Sequence, residues 1–317
     1  MRKLPHVPVL YQQVMEFLAP RPGGVYVDCT LGFAGHACGV ARCLGAEGHL
    51  IGLDRDPQAL EMARQRLDAL AVELGAAMPK VTLYGEPFSR VGTLLAGMEV
   101  DGILADFGVS SMQLDQPERG FSFQADGPLD MRQDTRQPLT AEQVVNEMDE
   151  KQLANLIYEY GEERRSWRIA RAIVRARPIT STGQLARVVA GSAQAVSKER
   201  IHPATRTFQA LRIYVNRELE EMEALLKAAP KLLKPGGRMV AISFHSLEDR
   251  IVKDAFREGA AAGIWDVLTK KPVTAEQEEM ARNPRARSAK LRAAAKGESG
   301  QRQKKKWSRE ASQWPAT

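Results

Sequence analysis

A chain of 317 residues, 44% hydrophobic and 26% charged, can bury a full α/β core and has room for a second, smaller unit, more than a binding-only module needs. No run of eighteen apolar residues offers a membrane span, no apolar segment follows Met1 to His6, and Cys29, Cys38 and Cys43 form no C-x-x-C pair. A secretory signal, a disulfide framework and a structural zinc site are thereby disfavoured, and the expected compartment is the cytoplasm. The net charge of +6 is concentrated: residues 282–317 hold eleven Lys/Arg against two Glu, so the rest of the chain is slightly acidic. A basic run of this kind either meets a polyanion, releasing counterions as it does so, or is a solvated end.

The first turn signal, Arg21-Pro22-Gly23-Gly24, leads into Val25-Tyr26-Val27-Asp28, a short apolar run that ends on a carboxylate. The loop Leu31-Gly32-Phe33-Ala34-Gly35-His36 follows and opens a helix. His49 to Leu53 is the next strand; Asp54-Arg55-Asp56-Pro57 ends it, and Pro57 starts a helix with Leu60, Ala63, Leu67 and Leu70 at helical spacing. Val81 to Tyr84, Gly102 to Ala105 and Arg238 to Phe244 are further runs of strand length. Strands alternating with helices predict an α/β fold with a doubly wound, mostly parallel sheet.

Between Asp106 and Arg238 lie about 130 residues, too many for one crossover and too structured for a loop. The segment from Gln113 to about Ile201 therefore reads as a helical insertion. It contains amphipathic runs at Ala141–Val145 and Leu153–Tyr158 and a strongly basic helix from Trp167 to Arg177, stopped by Pro178. Thr205 to Ala229 reads as one long helix returning to the sheet. No internal repeat is visible.

In an open parallel sheet the ligand lies beyond the carboxyl ends of the strands, so strand-ending residues matter most. Asp28, Asp54 and Asp106 all end strands. Gly32 and Gly35 let the backbone pass close to a ligand, and Asp54 stands where a carboxylate can accept both hydroxyls of a ribose. A dinucleotide fold would need G-x-G-x-x-G at a pyrophosphate; this loop has only G-x-x-G, preceded by Asp28, which would repel one. The same carboxylate suits the ammonium group of S-adenosylmethionine. A nicotinamide dehydrogenase is the disfavoured alternative on this ground.

Longer runs then bear on the question: His6 to Leu10, Asp101 to Asp115, Glu118 to Phe123, Gly127 to Arg132, Tyr160 to Glu163, His202 to Arg212 and Ser243 to Arg250. Taken together and in this order, over nearly the whole chain, they resemble the signature segments of the RsmH (MraW) family. Arg287 to Arg292 is similar as well. The resemblance implies a class I methyltransferase (Rossmann-like) fold with an inserted helical domain. Residues 1–112 and 205–281 would bind S-adenosyl-L-methionine, 113–204 would recognise RNA, and 282–317 would be a basic tail. It also implies methyl transfer to the N4 amine of a cytidine in the decoding region of 16S ribosomal RNA in the small ribosomal subunit, chemistry that requires no metal. Carried over, the cofactor contacts are Ala34, Gly35, His36, Asp54, Phe88, Asp106 and Gln113. Phe88 becomes a wall for adenine, where it would otherwise be one more core aromatic. The family usually has Gly where Ala34 stands, and a methyl there is expected to restrict the backbone to negative φ.

An exocyclic amine is a poor nucleophile because its lone pair is delocalised into the ring. Asp106 is the candidate catalytic residue, lying between cofactor and target to orient that amine. His245 offers a proton acceptor or an RNA contact, though a lone His is more often structural. Phe107 or Phe244 could stack on a flipped base. Arg168, Arg171 and Arg175 share one helical face, supported by Arg164, Arg165 and Arg177, and with Lys304-Lys305-Lys306-Trp307 suggest phosphate contact; the alternative is a face paired with Glu162 and Glu163. A binding factor that retains the fold without turnover is the reading of a different class. The sequence leaves monomer and homodimer open.

Overall fold

The computed structural model describes residues 8–192 and 202–298. His6, Val7 and the Lys304–Trp307 cluster lie outside them. The first half of the chain forms α1 (Tyr11–Leu18), β1 (Val25–Asp28), α2 (Gly35–Leu44), β2 (His49–Leu53), α3 (Pro57–Leu74), β3 (Lys80–Tyr84), α4 (Val91–Leu94), β4 (Val100–Asp106) and α5 (Ser111–Asp115). A run of helices follows: α6 (Ala141–Glu147), α7 (Glu150–Gly161), α8 (Ser166–Ala176), α9 (Thr182–Ser192), α10 (Ala204–Asn216) and α11 (Glu218–Leu232). The chain then returns to the sheet with β5 (Leu233–Ser243), α12 (Ser246–Ala261), β6 (Trp265–Val267), α13 (Gln277–Arg282) and β7 (Lys290–Lys296).

Seven strands of the described residues form one sheet in the order β3-β2-β1-β4-β5-β7-β6. It is parallel from β3 through β5, while β7 runs antiparallel to both its neighbours. This is the doubly wound class I methyltransferase order. The winding reverses between β1 and β4, whose pairing sets Asp28 opposite Leu104 and so brings the ends of these two strands together. Both faces of the sheet are covered, which is why its strands read as unbroken apolar runs. Successive residues serve opposite sides: Tyr26, Leu50 and Leu104 join the cluster under α1, α2 and α3, whereas Val27, Ile51 and Ile103 join the one under α11 and α12.

A third apolar cluster holds Val144, Leu153, Ile157, Ile169, Ile173 and Leu185 together with Phe208, Leu211 and Val215. Two expectations are corrected here. The segment from Thr205 to Ala229 is not one helix returning to the sheet: Arg217 adopts φ 52, ending α10 and starting α11 in a new direction. The apolar face of α10 therefore belongs to the helical cluster, and only α11 packs on the sheet. Residues 282–317 are likewise not simply a tail, since Lys290–Lys296 is an interior strand. Its cations are engaged internally: Arg292 and Lys290 pair with Asp249 at 2.6 and 3.3 Å, and Lys296 donates to the carbonyl of Leu233 at 2.6 Å.

One carboxylate fastens the edge of the sheet remote from the strand ends. Asp101, in β4, is 6% exposed and accepts from the Val25 amide (2.8 Å), Lys234 Nζ (2.8 Å) and Arg21 Nη2 (2.5 Å), joining the approaches to β1, β4 and β5. Burial alone would raise its pKa, but these donors hold it below the ordinary range. Its stabilisation is thus present above the usual carboxylate pKa and lost as pH falls through the lower folded value. Asp101→Ala should cost about 1–2 kcal/mol, because it leaves the Val25 amide without its acceptor, while the more exposed Arg21 and Lys234 are rehydrated. Urea unfolding measures this, and an unchanged midpoint would show that the clamp holds nothing.

Candidate active site

A cavity of about 550 Å³ opens at the carboxyl ends of β1, β2 and β4. Of the residues expected at a cofactor, Gly35, His36, Asp54, Phe88, Asp106 and Gln113 line it. Ala34 does not: it is fully buried one residue before α2, and its φ of 56° contradicts the expectation that a methyl confines this position to negative φ. Turn geometry prevails over a local preference of about 1–2 kcal/mol. Asp28 is also withdrawn from the lining. It is 3% exposed, sits between β2 and β4, and accepts the Thr30 amide at 3.1 Å. Burial pushes its carboxyl up to about 6.

The loop after β2 carries two aspartates with different duties. Asp54 faces the cavity, its carboxylate fixed by the Gly32 amide at 2.8 Å and the Asp56 amide at 2.9 Å, and burial raises it to about 6. Each oxygen keeps a lone pair for a ligand hydroxyl. Asp56 turns inward, 1% exposed, and caps α3 through Gln58 N at 3.0 Å. Its other oxygen accepts Gln113 Nε2 and Arg119 Nη1, both at 2.8 Å. Gln113 also accepts the Ser110 amide in the capping box of α5, so its amide serves the protein as well as facing the cavity.

Phe88 leans on Phe107 with ring centroids 5.7 Å apart, and Phe107 is almost wholly buried. Phe244 lines the same cavity. The first turn of α2 starts there without a side-chain cap, so its amides are left to meet an anion. Asp106 closes the group. Its amide donates to Thr30 Oγ1 at 2.6 Å, whereas its own Oδ1 is buried with no partner among the described residues. His36 is 5% exposed, and both its ring nitrogens are equally without a hydrogen-bond partner. Buried polar groups left unpaired by the protein are the expected mark of atoms reserved for a ligand.

His245 has another task. It caps α12 in a box with Glu248, its Nε2 lying 3.1 Å from Glu248 Oε1. Arg212, which lines the cavity from α10, is paired with Glu218 at 2.8 Å and lies 3.8 Å from Glu248. Glu218, His245 and Glu248 bring three potential metal ligands within 4.8 Å of one another, but the Arg212 guanidinium already occupies that carboxylate pair. Burial works against the Glu248 carboxylate, and His245 and Arg212 still hold its pKa down. Sequence reasoning missed Arg212, Arg119 and Asp56. Their signal was present in His202–Arg212, Glu118–Phe123 and Asp56-Pro57, segments whose side chains meet only in the fold.

Of the basic face, Arg164, Arg168, Arg171 and Arg175 are exposed, and Arg168 and Arg175 have no partner among the described residues. Arg171 lies 3.1 Å from the half-exposed Glu150. Arg177 is corrected out of that face: it donates to the carbonyls of Val145 and Met148 and serves the loop after α6. Arg165 and Arg206 share the buried Glu163, at 3.2 and 3.3 Å, which ties the start of α8 to the stretch of α10 carrying Thr205 and Gln209 in the cavity wall.

The model of the MraW methylase family matches residues 3–297. A protein of Acidobacterium capsulatum named ribosomal RNA small subunit methyltransferase H is 66% identical over 291 residues, covering 92% of this chain and 98% of that protein. Proteins of the same name from Koribacter versatilis and Geobacter sulfurreducens are 58% and 52% identical, each covering 92% of this chain and 94% and 98% of their own lengths. A match over almost the whole length, joined to an open sheet whose strand ends surround a cavity, establishes that the chain belongs to the MraW methylase family.

Proposed function

We propose that this chain transfers the methyl group of S-adenosyl-L-methionine to the N4 amine of a cytidine in the decoding region of 16S ribosomal RNA, in the small ribosomal subunit. The observation that carries the reading is Asp106 Oδ1, a buried acceptor without a partner at the end of β4, in one cavity with Asp54 and Phe88. The relatives' name, ribosomal RNA small subunit methyltransferase H, supports the substrate.

The residues present suit the cofactor, which supplies an electrophilic methyl group when bound. Asp54 would accept from the ribose hydroxyls, Phe88 would cover the adenine, and the uncapped amides at Gly35 and His36 would take the methionine carboxylate. Asp28, one layer below, contributes negative charge near a cationic ligand without touching it. Gln113 acts in this reading by shaping the wall, and Ala34, outside the lining, by setting the turn into α2. A cytosine amine entering from the helical side would donate to Asp106. The hydrogen bond draws its lone pair out of conjugation and aims it, and a charged acceptor does so more strongly than a neutral one. Phe244 provides aromatic surface beside that position for a base turned out of its stack, while Phe107, 2% exposed, backs Phe88 instead. The arginine face of α8, with Trp167 half exposed in its midst, supports backbone contact to RNA next to the cavity rim.

Three outcomes follow. With small subunits from cells lacking this protein, labelled methyl should appear as N4-methylcytidine by mass spectrometry, and Asp106→Ala should lower kcat at least about a hundredfold; an active Asp106→Ala would remove that residue from catalysis. Affinity for S-adenosylhomocysteine should weaken as pH drops below about 6, because protonated Asp54 loses its charge and an acceptor site. In calorimetry Asp54→Asn should bind weakly and lose this dependence, while its persistence would assign it to Asp28. Replacing Arg168, Arg171 and Arg175 together by Ala should weaken binding to RNA and reduce the slope of log affinity against log salt by about 2–3, with S-adenosylhomocysteine affinity unchanged.

A further inference from the structure

We propose that His36 is the catalytic base of this reaction, its Nε2 accepting the second hydrogen of the target amine and removing it as the methyl group arrives. The inference rests on the amine-methylating reading above and assigns a role to the ring, where the family resemblance implies only that His36 touches the cofactor.

An imidazole that is neutral carries one donor and one acceptor, and a buried one nearly always has both engaged. His36 has neither engaged by the protein, although the ring is firmly placed, lying parallel to Tyr11 at 6.2 Å and 11°. It lines the cavity, and Nε2 stands 3.7 Å from Asp106 Oδ2. That separation is beyond a hydrogen bond, so it leaves the Nε2 lone pair uncommitted while keeping the carboxylate beside it. The other oxygen, Asp106 Oδ1, is uncommitted too. Two residues on neighbouring elements therefore line one cavity with a buried, uncommitted acceptor each, and an exocyclic amine has two hydrogens to give.

With one hydrogen held by Asp106 Oδ1 and the other by Nε2, the amine nitrogen is drawn toward a pyramidal shape, its lone pair directed at the methyl carbon. The N4–CH3 bond forms from that pair, and the S–CH3 bond breaks with its electrons left on sulfur. The N4–H bond facing His36 then breaks, its pair returning to nitrogen and its proton passing to Nε2. The products are a neutral methylamino group and an imidazolium. Asp106 Oδ2 lies 3.7 Å from Nε2, Asp28 is in electrostatic contact with the ring, and Tyr11, stacked on it, is neutral. His245, the other histidine considered for the role, is taken up in capping α12 and in its pair with Glu248.

The test compares the full-length protein with His36→Asn and His36→Gln. Affinity for S-adenosylhomocysteine should stay within about twofold, kcat should fall about 10²- to 10⁴-fold, and the acidic limb of kcat against pH, taken at saturating S-adenosyl-L-methionine so that cofactor binding through Asp54 does not enter, should flatten in both variants. Lost S-adenosylhomocysteine affinity in a folded variant would make the ring a cofactor contact and overturn the proposal, as would an unchanged kcat. An acidic limb of kcat that survives in the variants at saturating S-adenosyl-L-methionine would belong to another group and overturn it equally. Ring nitrogen NMR on the unmutated protein needs no variant to fold: Nε2 should be the unprotonated nitrogen of neutral His36, and a proton found there sinks the idea. If the unmutated protein methylates a base carbon or a ribose hydroxyl, the amine reading fails and the proposal with it. Methylation of a different amine would revise the target alone.

Discussion

The cavity depends on Asp56. This carboxylate, 1% exposed, caps α3, receives Gln113 from α5, and receives Arg119, whose other Nη donates to the carbonyls of Arg132 and Gln133. Gln113 and Arg119, 57 and 63 residues further along the chain, are thereby bound to the loop that also presents Asp54. A buried ion pair adds little net stability over an apolar substitute, but a broken one is costly, and this asymmetry enforces geometry. Asn216 extends the arrangement, donating to the carbonyl of Met131 and accepting the Gln133 amide at the point where α10 ends. The sheet and the helical cluster thus share one polar seam under the cavity.

That seam surrounds an electrostatic imbalance. Asp28 and Asp54 are both lifted by burial from 3.8 to about 6. Because the folded values are the higher ones, the fold favours their protonated forms, and stability falls as pH rises from about 3.8 to 6. At neutral pH both carry charge at a cost to the apoprotein. A ligand with a cationic centre and hydroxyl donors relieves that cost, so part of its affinity comes from removing a penalty the fold already bears. The arrangement is the usual compromise of functional sites, where local consistency gives way to chemistry.

How far this was legible depended on the range of the interactions concerned. The five strands that came from continuous apolar runs, and the aspartates that end β1, β2 and β4, were readable because a buried parallel strand writes itself locally. Asp54 and Asp106 reach the cavity for the same reason. Asp28 carries an identical local signal and yet stands behind the wall, since its burial is decided by the flanking strands. Ala34 shows the same limit in the backbone: its left-handed φ comes from the turn between β1 and α2, against the preference of alanine. The break at Arg217 left no glycine or proline to announce it, and continuous periodicity concealed two helices with different partners. Lys290-Leu291-Arg292-Ala293-Ala294-Ala295-Lys296 has the composition of a solvated basic segment or a helix. It is a strand because β5 and β6 supply a hydrogen-bonding slot and Asp249 supplies the countercharge.

That slot has a further consequence for synthesis on the ribosome. When translation has reached Ser243, the five parallel strands are all present, and β5 is an open edge with unpaired amides and carbonyls along Arg238 to Ser243. The strand that covers it begins 47 residues later, and β6, though made earlier, pairs only with β7. A nascent chain must therefore carry a bare, apolar edge through that interval, a template to which another chain's strand can add. The antiparallel strand that completes the sheet is also its guard against self-association, and it is the last of the described strands to emerge.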